Sequence, residues 1–176
     1  MGIKIPIVQV IGYQNSGKTT LIEKIIEELS SDGCKIGTIK HHGHGGLPDI
    51  SDKGKDTERH RVAGAVASSI EGNGTLQLHV SKDSWKLKEI LEFYQLLDLD
   101  LIIIEGYKQA SFPKVVIIRE QSDLELLTTV QNIVAIVVSI PLEDTKIDLE
   151  KVAMFSMDNL QEFTDWIKYA VRDHNE

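Results

Sequence analysis

The octapeptide Gly12-Tyr13-Gln14-Asn15-Ser16-Gly17-Lys18-Thr19 constrains this chain more than any other stretch, because it fits the pattern G-x-x-x-x-G-K-[ST] and sits between a strand-like run and a helical one. Lys4 to Ile11 is the apolar run before it, and Leu21, Ile22, Ile25, Ile26 and Leu29 repeat at helical spacing after it until Gly33. A loop of this kind turns backbone N–H groups inward onto phosphate oxygens. That requires glycine wherever a side chain would block the approach or forbid the dihedral, and Gly12 and Gly17 meet the requirement. The helix that begins near Lys18 adds the positive end of its dipole. Lys18 reaches toward β- and γ-phosphates, Thr19 offers a hydroxyl to Mg²⁺, and Thr20 is placed for the α-phosphate. Asn15 and Ser16 complete the set of loop residues expected to hold the ligand.

The remaining pattern continues the strand–helix alternation. Lys35 to Ile39 reads as a second strand, parallel to the first in a right-handed βαβ unit. His41 to Asp56 is a long polar loop rich in glycine and aspartate, and Asp56 is placed to cap a short helix running toward Gly64. Ala65 to Ile70 and Thr75 to Val80 flank Glu71-Gly72-Asn73-Gly74, a hairpin signal expected to bring antiparallel pairing into the sheet. Trp85, Leu87, Ile90, Leu91, Tyr94 and Leu97 mark an amphipathic helix. Leu101 to Glu105, Lys114 to Arg119 and Ile133 to Ser139 are apolar strands, and a closing helix carries Leu160, Phe163, Trp166, Ile167 and Ala170, with Asp158 near its start. No repeat or linker divides the chain. Residues 1–176 therefore read as a single α/β nucleotide-binding domain of the P-loop NTPase type, with a mainly parallel, mixed sheet and helices on both faces.

Composition narrows the partners. The net charge of −8 gives no general attraction for phosphate backbones, so nucleic acid is not an expected partner and any anion must be held by a local pocket. No apolar run is long enough for a membrane-spanning helix, Met1 to Pro6 show no signal-peptide pattern so none is expected, and the lone Cys34 can form no internal disulfide. A cytoplasmic location is expected.

Several residues outside the loop are candidates for the same chemistry. Glu105 ends a buried strand, where ligands of open α/β sheets collect, and is the expected second metal carboxylate and a catalytic candidate; a solvated strand end is the alternative. Asp49, with Asp52, can approach Mg²⁺ from the long loop. Lys55, Asp56 and Arg61 are expected to do more than cap a helix and are binding candidates: the positive Lys55 and Arg61 can grip phosphate, with Arg61 the candidate for a charge-stabilising arginine, and the alternative is a solvated helix face. His41, His42 and His44 offer three imidazoles to Ni²⁺ or Zn²⁺, or else line a solvated loop. Guanine is commonly read by [NT]-K-x-D directly after a late strand, whereas Thr145-Lys146-Ile147-Asp148 comes several residues too late; Ser139 and Pro141 are expected to border the base instead.

Taken in order, Gly12 to Leu21, Ile39-Lys40-His41-His42-Gly43-His44, Gly54-Lys55-Asp56-Thr57 with Arg61 and Ala63-Gly64-Ala65, and Ile104-Glu105-Gly106-Tyr107-Lys108 resemble the motifs of the molybdopterin-guanine dinucleotide biosynthesis protein B family, over nearly the whole chain. The resemblance implies a GTP-binding homodimer with Mg²⁺ that assists the molybdopterin guanylyltransferase as it attaches GMP to molybdopterin, completing a molybdenum cofactor. Weak or partner-dependent GTPase activity goes with that role. GTP over ATP rests on the resemblance alone. The rival expectation is a nucleotide-dependent Ni²⁺ or Zn²⁺ metallochaperone acting through His41, His42 and His44.

Overall fold

The structure is a computed structural model that describes residues 4–43, 46–141 and 152–172. It falls into two compact units, one comprising residues 1–43 and 91–176 and the other residues 44–90.

The larger unit is built on six strands, of which the central ones read as near-continuous apolar runs because both of their faces are covered. These are β1 (Ile7–Ile11), β2 (Ile36–Lys40), β5 (Leu101–Glu105), β6 (Lys114–Ile118), β7 (Ile133–Val138) and β8 (Ala153–Ser156). They form one sheet in the order β2-β5-β1-β6-β7-β8, and every adjacent pair is parallel. On one face, Val8, Val10, Leu101, Ile103, Val115, Ile117 and Val137 pack with Leu21, Ile25 and Leu29 of α1 (Lys18–Ser31) and Phe163 and Ile167 of α5 (Leu160–Arg172). On the other, Ile11, Val116, Ile118 and Ile136 lie against Leu126, Leu127 and Val130, which belong to α4 (Leu126–Thr129) and its end. Each such buried aliphatic contributes roughly 1.5–3 kcal/mol gross, so the side of α1 that meets the sheet fixes where the helix begins as well as that it forms.

The second unit holds α2 (Asp56–Val62), β3 (Ala67–Gly72) and β4 (Thr75–Val80), and α3 (Leu87–Tyr94) runs from it into the larger unit. The hairpin expected from Gly72-Asn73-Gly74 is present, with β3 and β4 antiparallel from Ala67↔Val80 to Gly72↔Thr75. It forms its own two-stranded sheet, so the expectation that it would mix antiparallel pairing into the main sheet is corrected. The reason is visible in the residues: Ser68, Ser69, Glu71, Gln77 and His79 interrupt the apolar side chains of both strands, a pattern unsuited to a place between strands buried on both faces. Two smaller corrections follow. Lys55, not Asp56, is the cap residue of α2, with Asp56 in its first turn. The four-residue β8 extends the sheet where no strand was expected.

Two polar side chains interrupt the apolar sheet. Gln9 and Lys114 are register partners on β1 and β6, and both are fully buried. The Gln9 amide donates to the carbonyls of Gly106 (2.7 Å) and Tyr107 (2.9 Å), and Tyr107 sits at φ +51° in the left-handed region. The Lys114 ammonium donates to the carbonyls of Ala110 and of Phe112 (3.1 Å). Burial lowers the Lys114 pKa from its ordinary value. Together these bonds pin the connection between β5 and β6 to the sheet floor. Lys114→Ala removes a buried stem and leaves those two carbonyls without their donor, so urea unfolding is expected to show a loss of about 2–4 kcal/mol; a change below ~0.5 kcal/mol would mean the loop is held by other means.

Candidate functional site

All six strands of the main sheet point the same way, so their carboxyl ends share one edge. The chain leaves β1 through α1 to reach β2 on one side and later returns to place β6 on the other. This reversal opens a crevice at the carboxyl ends of β1 and β6, where ligands of open α/β sheets bind. Gly12 to Lys18 occupy the β1 end of it.

The local backbone explains the glycines. A Cβ on Gly12 would collide with Ser16 Oγ and stand 3.2 Å from Ser16 Cβ and 3.4 Å from Ile117 Cβ, so the loop closes only around a bare Cα. Gly17 caps α1 at φ +94°, and Asn15 lies at φ +60°. Left-handed residues of this kind let successive N–H groups face one concavity. The Ser16 N–H donates to the Tyr13 carbonyl (3.3 Å), while Ser16 Oγ is buried with no hydrogen-bond partner among the described residues. Lys18 Nζ donates to the same Tyr13 carbonyl (2.6 Å) and closes the loop over itself. Thr19 and Thr20 are exposed on the first turn of α1.

Charges gather around that lysine. Burial lowers the Lys18 pKa, the positive charges of Lys40 and Lys108 act in the same direction, and Glu105 and Asp123 oppose them. Glu105 ends β5 beside Val10 of β1, its side chain 14% exposed, and lies 3.1 Å from Lys40 Nζ. The Lys108 ammonium stands 4.1 Å from the centre of the Tyr13 ring. The structure thus brings Lys18 and Glu105 into one electrostatic neighbourhood, as the spacing of motifs suggested.

Other residues here carried no motif. Arg119, just past β6, donates from Nη1 to the Asn15 carbonyl (2.5 Å) and so braces the phosphate loop from the neighbouring strand. Buried Asp123 accepts the N–H groups of Arg119 (2.7 Å) and Glu120 (3.1 Å) and fixes the chain where it leaves the sheet. Tyr13, Gln14, Ser16, Arg119, Glu120 and Asp123 are among the residues that line a cavity of about 450 Å³. A second, of about 470 Å³, is lined by Glu120, Gln121, Ile140 and Pro141 at the ends of β6 and β7. Ser139 is exposed beside it, its N–H bonded to the Ile118 carbonyl (2.9 Å). Arg119 was legible only as a strand end, because the loop it braces is 104 residues away in sequence.

Within the second unit, Arg61 is committed to its neighbours. Its Nη1 and Nη2 donate to the two Asp52 carboxylate oxygens (2.6 and 2.5 Å), and Nη1 also reaches Ser68 Oγ (3.1 Å). The hydrogen bonds from Arg61 and Thr57 hold the Asp52 carboxyl well below the usual carboxylate range. Asp49 lines an open pocket of about 480 Å³ with Pro48, Ser51, Gln77 and His79. Lys55 and Asp56 are exposed, and Asp56 lies 3.5 Å from Arg59.

In the larger unit, the His41 N–H bonds the Glu105 carbonyl (2.9 Å), and its ring lies 4.4 Å from that of Tyr107. His42 is exposed. His44 lies outside the described residues, as do Thr145 to Asp148; among the described residues no three His, Cys, Asp or Glu side chains gather as a metal site.

The family described as molybdopterin guanine dinucleotide synthesis protein B matches residues 7–139, a span that runs from β1 through the phosphate loop, Glu105 and Arg119 to Ser139. The chain belongs to this family. The probable molybdopterin-guanine dinucleotide biosynthesis adapter protein of Bacillus subtilis is 52% identical to it over 132 residues, 75% of each chain. The crystal structure of Bacillus subtilis MobB superposes with a TM-score of 0.79 at 41% identity, covering 94% of this chain and 97% of that one. A MobB homologue from Bacillus stearothermophilus gives a TM-score of 0.76 at 36% identity, covering 95% and 98%.

For this MobB-family chain the loop geometry makes a direct prediction. Charge-assisted hydrogen bonds to phosphate are worth about 1.5–3 kcal/mol, so Lys18→Ala is expected to weaken triphosphate binding roughly ten- to a hundredfold in titration calorimetry while the thermal midpoint holds. Unchanged affinity in the folded variant would remove the loop from the binding site.

Proposed function

We propose that the chain is a GTP-binding adapter in molybdopterin guanine dinucleotide biosynthesis, with Mg²⁺ as the metal and slow GTPase activity of its own. The observation that carries this reading is a closed phosphate loop at the reversal point of a parallel sheet, in a chain whose Bacillus subtilis relative is named as such an adapter.

The donor set fits a triphosphate and a hard divalent cation. The buried Ser16 Oγ, without a partner among the described residues, suits a phosphate oxygen; Lys18 adds the charge. Thr19 and Glu105 would hold Mg²⁺, with oxygen donors of the kind that ion takes. When bound, the ion neutralises charge on the phosphates. The loop and α1 orient the triphosphate, and Arg119 keeps the loop's Asn15 peptide in place. Ser139 and Pro141 border the base in this reading, beside the cavity they and Ile140 adjoin.

Slow hydrolysis is expected because fast hydrolysis needs a further positive group aimed at the phosphates, and an arginine in that role contributes ~10³–10⁵ in rate. Arg119 is occupied with Asn15, and Arg61 with Asp52 and Ser68. Leu76 and Leu78, on one side of β4 and 63% and 53% exposed, support association with a second copy of the chain, and a guanylyltransferase and its molybdopterin are the proposed partners. Among the described residues no helix is long and apolar enough to cross a membrane, which accords with the proposed cytoplasmic setting. Membership of this family favours the adapter over the metallochaperone reading.

Competition binding of GTP against ATP in Mg²⁺ is expected to favour GTP by at least tenfold, with a GTP turnover well below the ~10 per second typical of enzymes. Equal affinities would contradict the guanine assignment, and turnover above that value without a partner would contradict the adapter role.

A further inference from the structure

Lys40 forms an ion pair at the carboxyl end of the sheet. It closes β2, directly opposite Glu105 on the adjacent parallel strand, and its ammonium lies 3.1 Å from the Glu105 carboxylate. Its side chain is 64% exposed and that of Glu105 14%, so the pair sits at the rim of the sheet, where an ion pair contributes little to stability. Its position is informative. Lys18 opens α1 after the β1 loop, Lys40 ends β2 and Lys108 follows β5, three neighbouring strands, and the charges of Lys40, Lys108, Glu105 and Asp123 act on the Lys18 ammonium. Three ammonium groups against these carboxylates form a dense cationic cluster on a chain whose overall charge is −8.

The sheet order separates the two ends of a bound nucleotide. The cavities bordered by Arg119, Glu120, Ile140 and Pro141 lie on the β6 and β7 side of β1, while Lys40 and Glu105 lie on its β2 and β5 side. A nucleotide with its base toward β7 and its phosphates over the β1 loop points its last phosphate at the β5 and β2 ends. A diphosphate ends over the loop and Lys18, and a triphosphate extends one group further.

We propose that Lys40 reads the terminal phosphate by exchanging partners: its ammonium pairs with Glu105 and passes to the terminal phosphate when a nucleoside triphosphate occupies the loop, which frees the Glu105 carboxylate. This rests on the phosphate-loop reading above and adds to it a residue that distinguishes triphosphate from diphosphate. The exchange is a change of ion-pair partner, and no bond is made or broken. Lys40 is followed directly in sequence by His41, so the exchange takes place at the start of the His41 loop.

The test is calorimetric titration of the full chain in Mg²⁺ with a non-hydrolysable β,γ-imido GTP analogue and, separately, with GDP. Lys40→Gln is expected to weaken the triphosphate analogue about tenfold and GDP less than twofold, with the thermal midpoint moved by no more than about 2 °C. Lys40→Arg, which keeps the charge, is expected to recover most of the loss. Equal losses for the two ligands, or none, would overturn the proposal while leaving the phosphate loop in place. If the native chain binds neither ligand, the phosphate-loop reading fails and the role of Lys40 with it. Lys18→Ala, which is expected to weaken both ligands, distinguishes a general phosphate contact from the selective one.

Discussion

The absence of a side chain at Gly12 is the constraint on which the site depends. Ser16 Oγ fills the space a Cβ would take, and Ile117 of the next strand stands behind it. The chain can therefore turn from β1 into α1 tightly enough for the loop to wrap a small concavity, with Asn15 and Gly17 in left-handed conformations and the first turn of the helix aimed inward. The loop is held by its own bonds from Lys18 and Ser16 to the Tyr13 carbonyl and, from the neighbouring strand, by Arg119 just past β6, while the charges at the ends of β2 and β5 act on Lys18.

The sheet makes those neighbours available. Parallel strands put every carboxyl end on one edge, and the order β2-β5-β1-β6-β7-β8 places the phosphate loop in the middle of it, with ion-pairing residues on one side and open cavities on the other. The buried Gln9 and Lys114 serve the same edge from below, holding the carbonyls of the β5–β6 connection that carries Tyr107 and Lys108. Burying an amide and an ammonium costs free energy unless they are bonded. The Gln9 Nε2 and Lys114 Nζ donors bond to the connection beside the site, where they fix its backbone, while Gln9 Oε1 is buried without a partner among the described residues.

What the sequence made legible was local. The phosphate loop, α1, the apolar strands and Glu105 at the end of β5 all follow from spacing and period within about twenty residues, and the structure places them as read. The hairpin was also read correctly as a hairpin, but its sheet was not, because pairing between distant strands leaves no mark in a local pattern. The same holds for Arg119, an ordinary strand-end residue until the fold carries it to a loop 104 positions away. Lys40 stood in a motif of the resemblance, yet its pairing with Glu105 appears only once β2 and β5 are set in register. The strand β8 follows a polar stretch and has four residues, too few for a period to show.

The central claim is that residues 12–20 form a preformed phosphate cradle, and amide chemical shifts report on that cradle directly. In ¹⁵N-labelled protein titrated with a GTP analogue and Mg²⁺, the backbone amides of Gly12 to Thr20 should show the largest shifts, with those of Arg119 and His41 following at the same midpoint. A titration that leaves the Gly12 to Thr20 amides unmoved while others shift would place the nucleotide elsewhere and contradict the account.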